Sequence, residues 1–154
     1  MRCRVCQAIA VVTLGSLFLG FSGAALAISP LNMEKIWKNN GAVEGIQEFR
    51  FGLVDWTGLT VSVEGVAPLK GALPSARLLG QRAALTDARR NLLLLLYELR
   101  FGLPEKLESI EVSGRIAEAH IDFERVKDEN YIVGLTLPLE KLLDECVIFG
   151  AVVR

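Results

Sequence analysis

Five consecutive leucines, Leu92–Leu96, stand in the middle of a stretch that otherwise reads as an amphipathic helix. Leu78, Leu85, Ala88, Leu92, Leu95, Leu96 and Leu99 recur at helical spacing and form a stripe wide enough to pack on a sheet. Pro74-Ser75 opens the helix, with Ser75 as the expected N-cap; Gly102 and Pro104 end it just after Arg100. Successive helix residues are about 100° apart, so five in a row visit every side, and a single sheet covers only one stripe. A leucine left in water forgoes about 1.5–3 kcal/mol. Two or three stranded leucines would therefore remove much of a domain's net stability of about 5–15 kcal/mol. The middle of the helix has to be buried from more than one direction. Three covers are available: the segment around Leu31–Trp37, the run Val147–Val153, or a neighbouring subunit. A large apolar patch on a folded domain marks an interface, which tips the expectation toward self-association. Leu93, Leu94 and Leu96 are accordingly the candidate packing or interface leucines.

The flanking segments supply the sheet. "LTVSVEGV" (Leu59 to Val66) alternates, with Leu59, Val61 and Val63 facing one way, and follows the turn-like "DWTG" (Asp55 to Gly58) as the second arm of a hairpin. Ile46 to Val54 alternates more loosely. After the helix, Ala119, Ile121 and Phe123 alternate with His120, Asp122 and Glu124. Lys127–Asn130 is a turn, and Tyr131, Val133, Leu135 and Leu137 return as an antiparallel partner strand. Pro138 starts the short helix "PLEKLLDE", and "CVIFGAVV" adds a last strand. Leu31 to Lys38 reads as a short helix stopped by Asn39-Asn40-Gly41. The fold class predicted is α+β: an antiparallel sheet of three to five strands with one long helix packed across one face.

The first residues read as an export signal. Arg2 and Arg4 precede an apolar run from Ala8 to Phe21, and Ala25-Leu26-Ala27 has the small-residue pattern of a cleavage site. That run is short of the ~20 residues a spanning helix needs. Residues 1–27 are thus expected to be a cleaved signal, and 28–154 a single α+β domain in the periplasm or at the outer membrane. The net charge of −1 falls further once Arg2 and Arg4 are removed, and no basic stripe for a phosphate backbone is present. Nucleic acid is excluded as an expected partner. Cys3-Arg4-Val5-Cys6 lies in the segment expected to be removed; Cys146, in an apolar run, reads as a buried small hydrophobe.

Gly65-Val66-Ala67-Pro68 and Arg82-Ala83-Ala84-Leu85-Thr86-Asp87-Ala88-Arg89-Arg90-Asn91-Leu92, followed by Ser113–Ala119 and Asn130–Leu139, resemble the ordered motifs of the Lpp-twenty outer-membrane lipoprotein family. The resemblance spans roughly residues 59–142. It implies a non-enzymatic envelope protein, often part of a larger assembly, and the family includes flagellum-associated members. The chain departs from the lipoprotein members in having no cysteine at the expected mature start, so lipid anchoring is not implied. It also has Asn130 where many members have a turn glycine, a residue able to adopt the left-handed conformation.

Few residues suggest chemistry. His120, the single histidine, falls on the polar side of its strand and reads as solvent-exposed. Asp87 and Asn91, four apart on one helix face, read as side chains that bond exposed backbone of a neighbouring loop and fix how the helix docks; a partner contact is the other reading. Arg77, Arg82, Arg89, Arg90 and Arg100 read as a solvated face, with anionic lipid or polysaccharide as the alternative. Trp37 and Trp56 read as core or rim. No catalytic residue, metal ligand or cofactor is expected. The function expected is that of a structural or assembly subunit partnered by itself or by other envelope proteins. The rival is a periplasmic small-ligand module whose cavity would be lined by Leu92, Leu95 and Phe123.

Overall fold

A computed structural model describes residue 36, residue 41 and residues 44–71 and 73–154. The residues expected to form an export signal, the Cys3–Cys6 pair, Trp37 and nearly all of the 31–38 segment lie outside the described residues. The order of elements is β1 (Ile46–Phe49), β2 (Gly52–Asp55), β3 (Thr60–Pro68), α1 (Pro74–Phe101), β4 (Ile110–Arg115), β5 (His120–Lys127), β6 (Asn130–Pro138), α2 (Leu139–Asp144) and β7 (Val147–Val153). The architecture is α+β. A five-stranded antiparallel sheet, ordered β1-β2-β3-β6-β5, carries α1 on one face, and β4 and β7 form a separate two-stranded antiparallel ribbon.

Local chemistry explains the turns. Asp55 Oδ1 accepts from the backbone N–H groups of Thr57 and Gly58 at 2.9 and 2.8 Å, which folds "DWTG" back into the β2–β3 hairpin. Leu59 ends that turn with φ of 51° and is exposed, so it is a turn residue and not the first inward residue of the strand. The inward face of β3 is Val61, Val63, Gly65 and Ala67. In the β5–β6 turn the left-handed residues are Asp128 and Glu129 (φ 51° and 59°), where the sequence points to Asn130. Asn130 belongs to β6 and its Nδ2 donates to the Asp128 carbonyl at 2.9 Å.

The two ends of α1 are set by its breakers. Leu73 is the N-cap residue with no side-chain cap, and Pro74 takes the first turn, where its missing N–H costs nothing. Ser75 therefore lies inside the helix and does not cap it. Gly102 ends the helix with φ of 74°, its N–H donating to the Glu98 carbonyl at 2.8 Å.

The stripe of α1 that faces the core differs from the one its leucines suggest. Leu78 is 57% exposed, and the residues buried in the first half are Gly80, Ala84 and Ala88. The second half buries Leu92–Leu96 and Leu99. These pack with Val54, Val61, Val133, Leu135, Leu137, Leu139 and Leu142 into one apolar cluster, from which Leu93 and Leu94 stand apart on the other side of the helix.

β5 departs from simple alternation. The register shifts between Ile121 and Phe123, leaving Asp122 as the extra residue of a bulge. A one-residue slip reverses the faces of all that follows. Phe123 thus lies opposite Gly134 on the face of the sheet away from α1, where a Cβ on Gly134 would meet Phe123 Cε1 at 2.3 Å. The expectation that Ile121 and Phe123 share one face fails for this reason.

Candidate functional site

Asp87 and Asn91 of α1 converge on one stretch of β3 around Gly65. β2 pairs with β3 only as far as Ser62, which leaves the following backbone groups on that side without a strand. α1 supplies the missing partners. Asp87 Oδ2 accepts from the Val66 N–H at 3.0 Å, and Asn91 Nδ2 donates to the Glu64 carbonyl at 2.7 Å. Between these two contacts lies Gly65, where a Cβ would meet the Ala84 carbonyl oxygen at 2.1 Å and the Ala88 amide nitrogen at 2.2 Å. The four-residue spacing of Asp87 and Asn91 puts both on one helix face; the absent side chain at Gly65 lets the helix come close enough for both to reach. Their job in this fold is the docking of helix on strand, and the neighbour they bond is a strand edge, not a loop.

The leucine run is covered from within the chain. The β4–β7 ribbon is separate from the main sheet, and its β4 strand packs on α1. A Cβ on Gly114 of β4 would approach Leu93 Cδ2 to 2.9 Å and the Val147 carbonyl oxygen to 2.3 Å, so Leu93 sits directly under the ribbon. Leu93 is 7% and Leu94 1% exposed; Leu96 is fully buried in the main cluster. Of the three covers considered from sequence, both of the chain's own contribute among the described residues: Ile148 of the Val147–Val153 run, paired with β4, and Ile36 of the Leu31–Trp37 segment pack against the main cluster. The leucines need no second subunit for shelter, which corrects the tilt toward self-association through this patch.

Leu92 and Leu95 are fully buried, and Phe123 is on the opposite face of the sheet, so these three line no common cavity. A cleft of about 510 Å³ does open elsewhere, beside the β1–β2 hairpin, where Glu48, Arg50, Leu53, Asn91, Asp122 and Phe123 border it.

The remaining polar contacts are of a bracing kind. Tyr131 Oη and Gln81 Nε2 donate to the Glu124 carboxylate at 2.6 and 2.8 Å, tying β6 and α1 to β5. Both bonds favour the carboxylate and hold its pKa below the usual range, Tyr131 most strongly. Glu98, near the end of α1, accepts from the Arg50 N–H at 3.3 Å and so braces the β1–β2 turn. Burial lifts its pKa, against the opposing pull of the Arg50 and Phe51 amides and the Arg50 charge. Arg125 lies over the Phe123 ring at 4.7 Å and pairs with Glu64 at 3.3 Å on the outer face. Arg100 donates to the Leu143 carbonyl at the end of α2. Trp56 is core, its Nε1 donating to Gln47 Oε1 at 2.8 Å, and His120 is exposed. Cys146 is buried and free; burial raises its thiol pKa, and its Sγ accepts from the Ala117 N–H at 3.2 Å.

Among the described residues no group of three or more His, Cys, Asp or Glu side chains is placed to hold a metal ion, and no helix is long and apolar enough to cross a membrane. Sequence reasoning placed Ala88 in the stripe but missed Gly80 and Ala84, which continue it as small residues, and their counterpart Gly65. The signal was present in the spacing of four, but small residues carry no hydrophobic weight in such a pattern. Set against family models, curated proteins and solved structures, the chain matches none of them.

Proposed function

We propose that the chain is an exported, non-catalytic protein of the cell envelope, acting as a structural or assembly subunit at the outer membrane or the flagellum. The observation that carries this reading is the contrast between a closed interior and an apolar exterior. Asp87 and Asn91 are spent on the β3 backbone, while Leu73, Leu79, Phe101, Val147, Phe149 and Val152 stay exposed. Bare apolar surface of this extent on a packed body fits contact with other macromolecules. The signal-like residues 1–27 and the Lpp-twenty resemblance of residues 59–142 support the envelope as the place.

The test is to express the full chain with a C-terminal tag, fractionate the cells and measure the mass of the purified protein. A product beginning at Ile28, found in the envelope fraction and cross-linked there into species larger than the monomer, is the expected result. A full-length, uncross-linked product in the cytosolic fraction would sink the reading. The cleft beside the β1–β2 hairpin favours a second reading, a periplasmic small-ligand module. Co-purification of a small molecule that is lost on Arg50→Glu would support it.

A further inference from the structure

β4 covers α1 at Leu93, but the first turns of the helix are left open. Leu78, Leu79, Arg82, Thr86, Arg89 and Arg90 are all exposed. At about 100° per residue they fall within about a third of the helix circumference. That arc lies opposite Gly80, Ala84 and Ala88, the buried face that meets the sheet. Its leucines are bare: Leu79 is 66% exposed, and Leu73, just ahead of the helix, 70%.

The charge of this region is as one-sided as its exposure. From Gly65 to Tyr97 the chain carries Lys70, Arg77, Arg82, Arg89 and Arg90 against a single acid, Asp87, in a protein of net charge −1. Asp87 is engaged by the Val66 N–H. Arg77 points to the sheet side, beside Glu124 and Tyr131. The β5–β6 turn also lies on that side, where the Glu129 carbonyl accepts from the Leu69 N–H at 2.7 Å. Among the described residues the guanidinium groups of Arg82, Arg89 and Arg90 make no ion pair or hydrogen bond. Arg82 and Arg90 border one open cleft of about 550 Å³ along Val66–Pro68, with Ala83 and Thr86 between them.

We propose that this face of α1 lies on an anionic phospholipid surface. Arg82, Arg89 and Arg90 meet the headgroup phosphates, and Leu78 and Leu79 enter the acyl boundary beneath them. Both halves of the arc decide the partner. A soluble polyanion would pair the arginines and leave the leucines in water. A purely apolar partner would bury the guanidinium groups without counter-charge, at high cost. An anionic lipid surface satisfies both at once. The proposal rests on the outer-membrane arm of the reading above and gives it a contact that needs no lipid anchor.

The test is vesicle flotation, using the chain in the form cells accumulate and vesicles of phosphatidylcholine alone or mixed with phosphatidylglycerol. Binding should require phosphatidylglycerol and weaken as salt is raised. Arg82→Gln, Arg89→Gln and Arg90→Gln should each weaken it about fivefold, and together about a hundredfold. Leu79→Ser should weaken it about tenfold with the salt dependence unchanged. These side chains are exposed, so the melting temperature of each variant should stay that of the parent. Arg125→Gln, which removes a charge from the other face of the sheet, should bind as the parent does. Binding that ignores phosphatidylglycerol or the arginine variants overturns the proposal, as does a chain held by soluble dextran sulfate and by no vesicle. Cell fractionation reads the location separately: a chain in the envelope fraction that binds none of these vesicles sinks the lipid contact and spares the assembly reading.

Discussion

Gly65 and Ala88 approach so closely that strand and helix touch backbone to backbone: a Cβ on Gly65 would lie 2.2 Å from the Ala88 amide nitrogen and 2.7 Å from its Cα. The contact fixes the height of α1 above the sheet, and Asp87 and Asn91 fix its rotation. Gly65→Ala should therefore destabilise the fold by about 3 kcal/mol or more, at or beyond the upper end of overpacking costs. Ala88→Gly should fail to rescue it, because the atoms in the way belong to the main chain. Urea denaturation of the two variants and their combination checks both statements.

Asp87→Ala and Asn91→Ala should each cost about 0.5–1.5 kcal/mol, the net worth of one hydrogen bond at a site with some access to water. Because both bonds depend on the same approach of helix to strand, their effects should couple. A double-mutant cycle read by chemical denaturation would show the pair costing less than the two singles together.

Leu93→Ala and Leu94→Ala should each lose about 2–5 kcal/mol, as expected for leucines with almost no exposure. Leu94→Glu should lower the melting temperature by the same amount at every protein concentration, since its burial is within one chain. A concentration-dependent loss would instead place Leu94 in a subunit interface.

The two perturbed carboxylates should pull stability in opposite directions with pH. Glu98 has a folded-state pKa above its ordinary 4.5. The neutral form is the one folding favours, so its contribution is fully present below 4.5 and is lost as pH rises through the folded value. Glu124 has a folded-state pKa below 4.5. Its contribution is present above 4.5 and is lost as pH falls through the folded value. Glu98→Gln should gain stability relative to the parent between pH 4 and pH 7, and Glu124→Gln should lose it. Denaturation curves at a series of pH values separate the two.

Cys146 should react with a thiol reagent only slowly in the native protein, being buried with a raised pKa. In denaturant it should react at the rate of a free cysteine, which absorbance of the released chromophore would follow.

Much of this fold was legible because its signals are local. Pro74 and Gly102 bound the long helix, the alternation of Tyr131 to Leu137 marks a strand with one buried face, and Pro138 precedes α2. What escaped depended on partners far away in sequence. The β4–β7 pairing joins segments on either side of a hairpin and a helix, and nothing in either strand names the other. The Asp122 bulge is imposed by the register with β6, so Phe123 changes face while its own neighbours in sequence still read as plain alternation. Leu78 looked like core because a leucine outweighs Gly80, although it is the glycine that the sheet approaches. The roles of Asp87 and Asn91 were readable from their spacing, but the strand edge they complete was visible only once β2 was known to stop short.

The roof over the leucines is built from two strands with the whole β5–β6 hairpin and α2 between them. Neither half of that roof can form from sequence neighbours, so closing it entails a long loop and the entropy that goes with it. During folding, the greasiest turn of α1 thus waits in the open until distant parts of the chain have met. Slow closure of this kind leaves a window in which the newly made polypeptide is sticky, and a cell that makes the protein must shield it through that interval.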